Sequence, residues 1–305
     1  MTSLLTNTAA MVALSTLADI NQSLNKTNNA VSTGLRIAQA SDSAAYWAIA
    51  TTTRSDNDAL GTVRDALAIG RSTLDVAYNG LDSVRENLQK MKELMVSARQ
   101  PGVDRVAVQV EIDGLITDMQ NKAEASVINE QNFLHTADST AENMTKSVVA
   151  SFSRSSSGVT VSTIDLDITN VILFDDNAAS AGLLDQDRTV GGTTTSVESI
   201  DISALTDSTA HLTDLEEMIS IVDEAMTDVI SAQNSVGVNL ARAESQESFL
   251  NALMDANDRA VGALVDANME EESTKLRALQ TQQQLAVQSL GIANASAQNV
   301  LILFQ

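Results

Sequence analysis

The apolar positions of this chain recur in steps of three and four over two long stretches. From Leu60 the stripe passes Val63, Leu67, Gly70, Leu74, Ala77, Leu81, Val84, Leu88, Met91 and Met95. Such steps keep side chains on one face of an α-helix, and a repeat sustained this long marks a helix packed lengthwise on a partner. Gln100-Pro101-Gly102 ends it, because proline lacks an N–H and glycine permits a turn. A second helix follows with Val108, Ile112, Leu115 and Met119 on one face, so the pair forms an αα-hairpin. The other long stripe starts at Leu215 and passes Val222, Val229, Val236, Ala243, Leu250, Asn257 and Leu264 to Ala267. It predicts one helix of about 55 residues, about 80 Å at 1.5 Å per residue.

Shorter stripes mark the two ends. Ala10, Leu14, Leu17, Asn21, Leu24, Asn28, Val31 and Leu35 form the first, and Gly34 with Ser41-Asp42-Ser43 predicts a break and a new N-cap. At the other end the register slips near Glu270-Glu271-Glu272 and restarts as Leu276, Leu279, Gln283, Ala286, Leu290, Ala293, Ala297, Val300 and Phe304. Between about residues 138 and 210 the pattern changes. Residues 159–164 and 167–174 are rich in β-branched side chains, and Gly191-Gly192 followed by three threonines reads as a turn and a strand.

The predicted fold is mainly α. Long antiparallel helical rods and a coiled coil arise from paired N- and C-terminal segments, with a small β-rich insert at the far tip. The expected division is 1–40 with 272–305, 41–137 with 211–271, and an exposed insert over 138–210.

Composition narrows the function. The chain has 305 residues, one proline and 3% aromatic residues, which suits long helices packed without bulky side chains. Cysteine is absent, so disulfide and thiolate chemistry are excluded, and two histidines leave a structural zinc cage unexpected. A net charge of −22 opposes binding to nucleic acid or an anionic membrane. No run of about 18 apolar residues predicts a membrane span. Met1 to Ala18 has no basic segment of the secretory kind, which also suits an export route that removes nothing.

Charge is missing where it is usually needed. Neither Met1 to Ala18 nor Ala278 to Gln305 contains Asp, Glu, Lys, Arg or His. Gln280, Gln282, Gln283, Gln284, Gln288 and Asn294 stand in their place. A two-helix coiled coil within one chain would bury one stripe of each helix. These ends are moderately apolar all round, so burial by several other copies accounts for them better. Amides tolerate such burial through hydrogen bonds, whereas lone charges do not.

The residues at both ends resemble the bacterial flagellins. Leu4-Leu5-Thr6-Asn7, then Val31-Ser32-Thr33-Gly34-Leu35-Arg36-Ile37, then Ala40-Ser41-Asp42-Ser43-Ala44-Ala45 is similar to the family's N-terminal signature. Val236-Gly237-Val238, the run from Val265 to Thr274, and Asn299-Val300-Leu301-Ile302-Leu303-Phe304 are similar to its C-terminal half. Tyr46-Trp47, Asn268 and residues 262–264 depart from the commonest pattern, and the Tyr-Trp pair resembles flagellins of soil rhizobia.

The resemblance implies a subunit that self-assembles into an extracellular helical filament for swimming, alone or with related flagellins. It implies export through the flagellum's own channel, with an export apparatus and chaperone, and contact with filament cap and hook-junction proteins. A hook–filament junction protein is the nearest alternative. An enzyme on a flagellin frame and a cytoplasmic coiled-coil scaffold are more distant. The expected polymerisation core is Leu14, Leu17, Leu24, Leu35, Leu279, Leu290, Val300 and Phe304.

Other candidate sites carry weaker signals. His135-Thr136-Ala137-Asp138 and His211-Leu212-Thr213-Asp214 have a ligand-like spacing, but exposed residues at domain joints explain them more simply. No phosphate-binding loop or catalytic constellation is found, so no cofactor is expected. Asn21, Asn28, Asn239 and Asn257 interrupt apolar seams, where asparagine either fixes register or faces water. The segment from Leu88 to Leu94, with Glu111, resembles the region of many flagellins seen by Toll-like receptor 5. Here Lys90 stands for an arginine, and an ammonium does not reproduce a guanidinium fork. Residues 128–134 also depart from the family pattern. The expectation for Lys90, Leu94 and Glu111 is therefore a subunit–subunit contact.

Overall fold

A computed structural model describes residues 7–155, 158–177 and 181–302, with the side chains of 297–302 left out of the description. Phe304 and the Val300 side chain, both in the expected seam, lie outside the described residues. The chain is mainly helical: α1 (Thr8–Thr33), α2 (Ala44–Ala98), α3 (Arg105–Ala125), α4 (Thr209–Val265) and α5 (Met269–Ile302). The strands are β1 (Val127–Ile128), β2 (Gln131–Asn132), β3 (His135–Thr136), β4 (Thr145–Ser155), β5 (Gly158–Asp167), β6 (Phe174–Asp175), β7 (Arg188–Val190) and β8 (Thr193–Thr195).

Helix ends sit where the capping chemistry puts them. The Asn7 side chain accepts the Ala10 N–H at 3.1 Å and opens α1. Gly34 closes it with φ +73°, a conformation that glycine adopts without a Cβ penalty. Asp104 accepts the amides of Val106 and Ala107 at the start of α3. Asn268 does the same for Glu270 and Glu271, so the break falls at 266–268 and the three glutamates lie in the positive first turn of α5.

Two compact units are present, one of Met1–Asp58 with Met254–Gln305, the other of Ala59–Leu253. In the second, every residue of the α2 stripe from Leu60 to Met95 is buried except half-buried Gly70. Its partner is α4, reached at Arg71–Glu247, Asp82–Gln233, Lys92–Asp223 and Arg99–Glu216. One number rises while the other falls, so the two helices run antiparallel. Along α4, Leu215, Val222, Val229, Val236, Ala243 and Leu250 fill the core.

The stripes shift at two places. The buried face of α3 is Arg105, Gln109, Ile112, Ile116, Met119 and Ala123, and the expected Val108 and Leu115 are only half-buried. Two polar residues reach the core face because the returning chain supplies their partners. Arg105 donates to the Leu205 carbonyl and the Asp207 carboxylate, and Gln109 pairs with the backbone of Ile200 and Ile202. In the first unit, Val261 and Val265 of α4 are buried where the stripe named Ala260 and Leu264. They pack with Ile37 and Ala50, which a helix-only pattern does not anticipate.

The insert is β-rich but differs in detail. β4, unforeseen in the sequence, pairs antiparallel with β5 in a register running from Thr145↔Asp167 to Ser155↔Gly158, with an irregularity between Val149 and Ser151. Residues 168–173, expected as strand, form a turn instead, with Ile168 and Val171 to Leu173 buried and Thr169 and Asn170 exposed. Asp167 accepts the Thr169 amide and hydroxyl, and the Ile168 carbonyl then accepts the amides of Val171 and Ile172. β7 and β8 flank Gly191-Gly192 as the glycines and threonines suggest. The insert seats on α2 at Gly70, where a Cβ would lie 2.2 Å from Val148 Cγ1.

Candidate functional site

The first unit holds the two helices whose outer ends, residues 7–18 and 278–302, carry no charge. α1 and α5 pack on each other, with Asn7 Nδ2 donating to the Ala293 carbonyl at 3.1 Å and Gln283 Nε2 donating to Asn21 Oδ1 at 2.7 Å. These bonds make the pair antiparallel and give Asn21 a partner across the seam. On α5 between residues 276 and 296 the half-buried positions are Leu276, Leu279, Gln283, Ala286, Leu290 and Ala293, the stripe read from the sequence. On α1, Leu17 and Leu24 are half-buried, while Leu14 is 55% exposed and Asn28 is exposed. Leu35 lies beyond α1, against the cluster of Ile37, Ala50, Val261 and Val265.

The breaks between helices are joined to each other. Leu35 bridges Asp266, the Arg36 amide donates to the Val265 carbonyl at 2.7 Å, and the Ala267 amide donates to the Gly34 carbonyl at 2.9 Å. The Arg36 guanidinium adds a bond to the Leu264 carbonyl at 2.7 Å. The backbone groups freed where α1 and α4 stop thus satisfy one another.

What the pair leaves uncovered matters more. Within α1 only Thr27 and Ala30 are buried. Met11, Val12 and Leu14 on α1, and Leu285, Val287 and Ile292 on α5, are all more than half exposed. Tyr46, Trp47 and Ile49 are exposed at the start of α2, in the same unit. Apolar side chains on helix ends without charges form a surface suited to other apolar surfaces. Most of these residues lie off the heptad seam. Their signal in the sequence is an apolar residue at an outward position with no charge beside it.

The second unit brings Lys90, Leu94 and Glu111 together. They line a groove of about 540 Å³ between α2 and α3, with Glu93, Ser97, Gly114 and Leu115. Lys90, Leu94 and Ser97 follow helical spacing on one wall, and Glu111, Gly114 and Leu115 on the other. Lys90 and Glu111 are exposed, and Leu94 is half-buried. No atom lies within 4 Å of where a Gly114 Cβ would sit, so the missing side chain keeps the groove open.

The histidines find partners other than the aspartates three residues on. His135 Nε2 lies 3.1 Å from Asp176, and His211 Nδ1 accepts the Thr206 amide at 2.9 Å. His135 also borders a second cavity, of about 530 Å³, lined with carboxylates. Sequence reading missed it, because Glu124, Asp175, Asp185 and Glu198 are far apart in the chain. Burial works to raise the Asp175 carboxyl, but hydrogen bonds from Ser139 Oγ and from the amides of Asn177, Ser139 and Ala181 hold it below the ordinary value. Burial pushes Asp185 up against the opposing amides of Asp175 and Gly182, and the charges of Glu198 and Asp175 add to the rise.

Known proteins share this architecture's sequence. Residues 4–139 match the bacterial flagellin N-terminal helical region, and residues 219–304 match the bacterial flagellin C-terminal helical region. Flagellin C of Rhizobium meliloti strain 1021 is 42% identical over 321 aligned residues that span the whole of both chains. Flagellin A of that strain is 37% identical over 396, and a flagellin of Brucella melitensis biotype 1 is 37% identical over 306, each again over both full lengths.

Proposed function

Because the chain belongs to the bacterial flagellins, of the rhizobial type, and is a structural subunit of the extracellular flagellar filament, we propose that it polymerises through the outward face of its α1–α5 pair. The observation that carries this reading is the exposed apolar set on two helices that hold no charge over residues 7–18 and 278–302. Exposed alone, that face would be a liability; buried by neighbouring copies, it drives assembly.

In this proposal residues 1–40 with 272–305 form the inner core, 41–137 with 211–271 the surrounding rods, and 138–210 the surface insert. Leu14, Leu17, Leu24, Leu35, Leu279, Leu290, Val300 and Phe304 belong to the polymerisation core. Met11, Val12, Leu285, Val287 and Ile292 join them on the strength of their exposure. The groove of Lys90, Leu94 and Glu111 is a contact with a second subunit. Export runs through the flagellar channel without cleavage, served by a chaperone and the export apparatus, and the filament meets cap and junction proteins. The subunit does no catalysis.

Limited proteolysis tests the core assignment. The α1–α5 pair buries little apolar surface, while ordering its backbone costs about 1–2 kcal/mol per residue. Proteases are expected to trim both ends of the monomer and spare them in sheared filaments. Equal protection in both forms would refute burial by neighbours.

A further inference from the structure

The first turns of α2 outrun their partner helix. Asn57 Nδ2 donates to Asp258 Oδ1 at 2.7 Å, which fixes the register of α2 against the end of α4. Counted back along α2 and forward along α4, Ala50 comes level with Val265, and both are buried in one cluster. Val265 is the last residue of α4. Residues 44–49 therefore overhang it by about 9 Å, at about 1.5 Å per residue.

The overhang reads Ala44-Ala45-Tyr46-Trp47-Ala48-Ile49, and every one of these residues is exposed. With about 3.6 residues per turn, such a run passes right round a helix, so no side of it is covered within the chain. It also lacks the groups that suit an exposed helix end. No charged residue occurs from Ser43 to Thr53. The first turn holds no acid, although a helix N-terminus favours one. Asp42 instead turns back to accept the amides of Ala38 and Gln39. Trp47 is the one tryptophan of an aromatic-poor chain, and tryptophan and tyrosine are the side chains that most often dominate the energy of an interface.

The same unit offers a second uncharged apolar surface, the outward face of α1 and α5 with Met11, Val12, Leu285, Val287 and Ile292. Both surfaces stay exposed within one chain, so neither covers the other. Between copies they can. A contact between two different patches leaves one free patch at each end of the pair, which is how open helical polymers grow. We propose that the α2 overhang of one subunit docks on the outward α1–α5 face of a second copy, with Trp47 as its anchor. This inference rests on the reading that neighbouring copies bury that face.

The test uses the fluorescence of Trp47 itself. On seeded polymerisation its emission should shift to the blue and its quenching by acrylamide should fall severalfold. Trp47→Ala should keep the circular dichroism of the monomer and raise the critical concentration about thirtyfold, the size of an interface hot spot. Trp47→Phe should restore most of the growth. If Trp47→Ala loses helicity, Ile49→Ser, at a position 53% exposed, replaces it and should raise the critical concentration severalfold. The occupant is read from mixed filaments. The chain has no cysteine, so a nitroxide on Gln288→Cys in a Trp47→Phe chain marks the α5 face beside Val287 and should quench Trp47 of unlabelled chains. Acrylamide quenching in filaments equal to that of the monomer overturns the proposal, and so does an unchanged critical concentration. A blue shift without quenching by the nitroxide overturns the choice of occupant. Filaments that still protect both chain ends from proteases would confine each of these failures to the overhang. Loss of that protection as well would bring down the underlying reading.

Discussion

Ile292→Asp separates the stability of the subunit from the stability of the filament. Ile292 is 68% exposed on α5, so the subunit itself gains little from it. Fully burying an isoleucine contributes about 1.5–3 kcal/mol, and two-thirds of that, about 1–2 kcal/mol, is still to be gained on assembly. Aspartate forfeits this gain. It also places a carboxylate in a stretch without a cation, where desolvation costs several kcal/mol more. A combined loss of roughly 3 kcal/mol or more raises the critical concentration for seeded growth by over about a hundredfold, at tenfold per 1.4 kcal/mol. The assay pairs sedimentation of seeded polymer with circular dichroism of the monomer. Helicity should match wild type while filaments vanish. Leu290→Asp makes a useful contrast, because Leu290 is half-buried in the α1–α5 seam. It should also abolish filaments, and in addition loosen the pair within the monomer. Normal polymer from Ile292→Asp would show that this face meets solvent, and the buried-core reasoning would fail.

Gly114→Leu should leave the monomer as stable or stabler by about 0.5–1 kcal/mol, since glycine is poor in a helix and the Cβ meets nothing. It should nonetheless slow filament growth by filling the groove of Lys90, Leu94 and Glu111; unaltered growth would remove that groove from the assembly contacts. Gly182→Ala brings a Cβ to 2.4 Å from the Leu173 carbonyl oxygen, a backbone atom that cannot swing aside. A loss of about 1–3 kcal/mol is expected in thermal unfolding. Asp185→Asn should stabilise the chain near neutral pH. The folded carboxyl is raised, so the folded state holds a proton that the unfolded state releases, and wild type loses stability as pH rises through the folded value. The advantage of the variant should therefore shrink in acid, and a gap independent of pH would contradict the assignment. Deleting residues 141–205 should still permit export and polymerisation, although it strips partners from Arg105 and Gln109 and should lower the melting temperature. Soluble, exported protein that cannot polymerise would give the insert a role in assembly.

The sequence by itself determined the helices, most of their seams and the family. A heptad repeat is local information, and a stripe such as Leu60 to Met95 has one economical use, burial along another helix. Breaks are equally local, so the helix end at Gly34 was legible where it stands, and so was the charge-free character of the ends, whereas the caps at Asn7 and Asp104 came from the structure. Tertiary structure decided whatever depends on which neighbour arrives. Arg105 and Gln109 occupy a core face only because residues 200–207 return to satisfy them. Val261 and Val265 replace Ala260 and Leu264 because Ile37 and Ala50 come from elsewhere in the chain. Residues 168–173 turn rather than extend because Asp167 captures the next turn's donors, overriding β-branched propensity. The groove of Lys90 and Glu111 needed two helices side by side. The cavity of Asp185 gathers carboxylates from four separate segments, and no periodicity encodes a meeting of that kind.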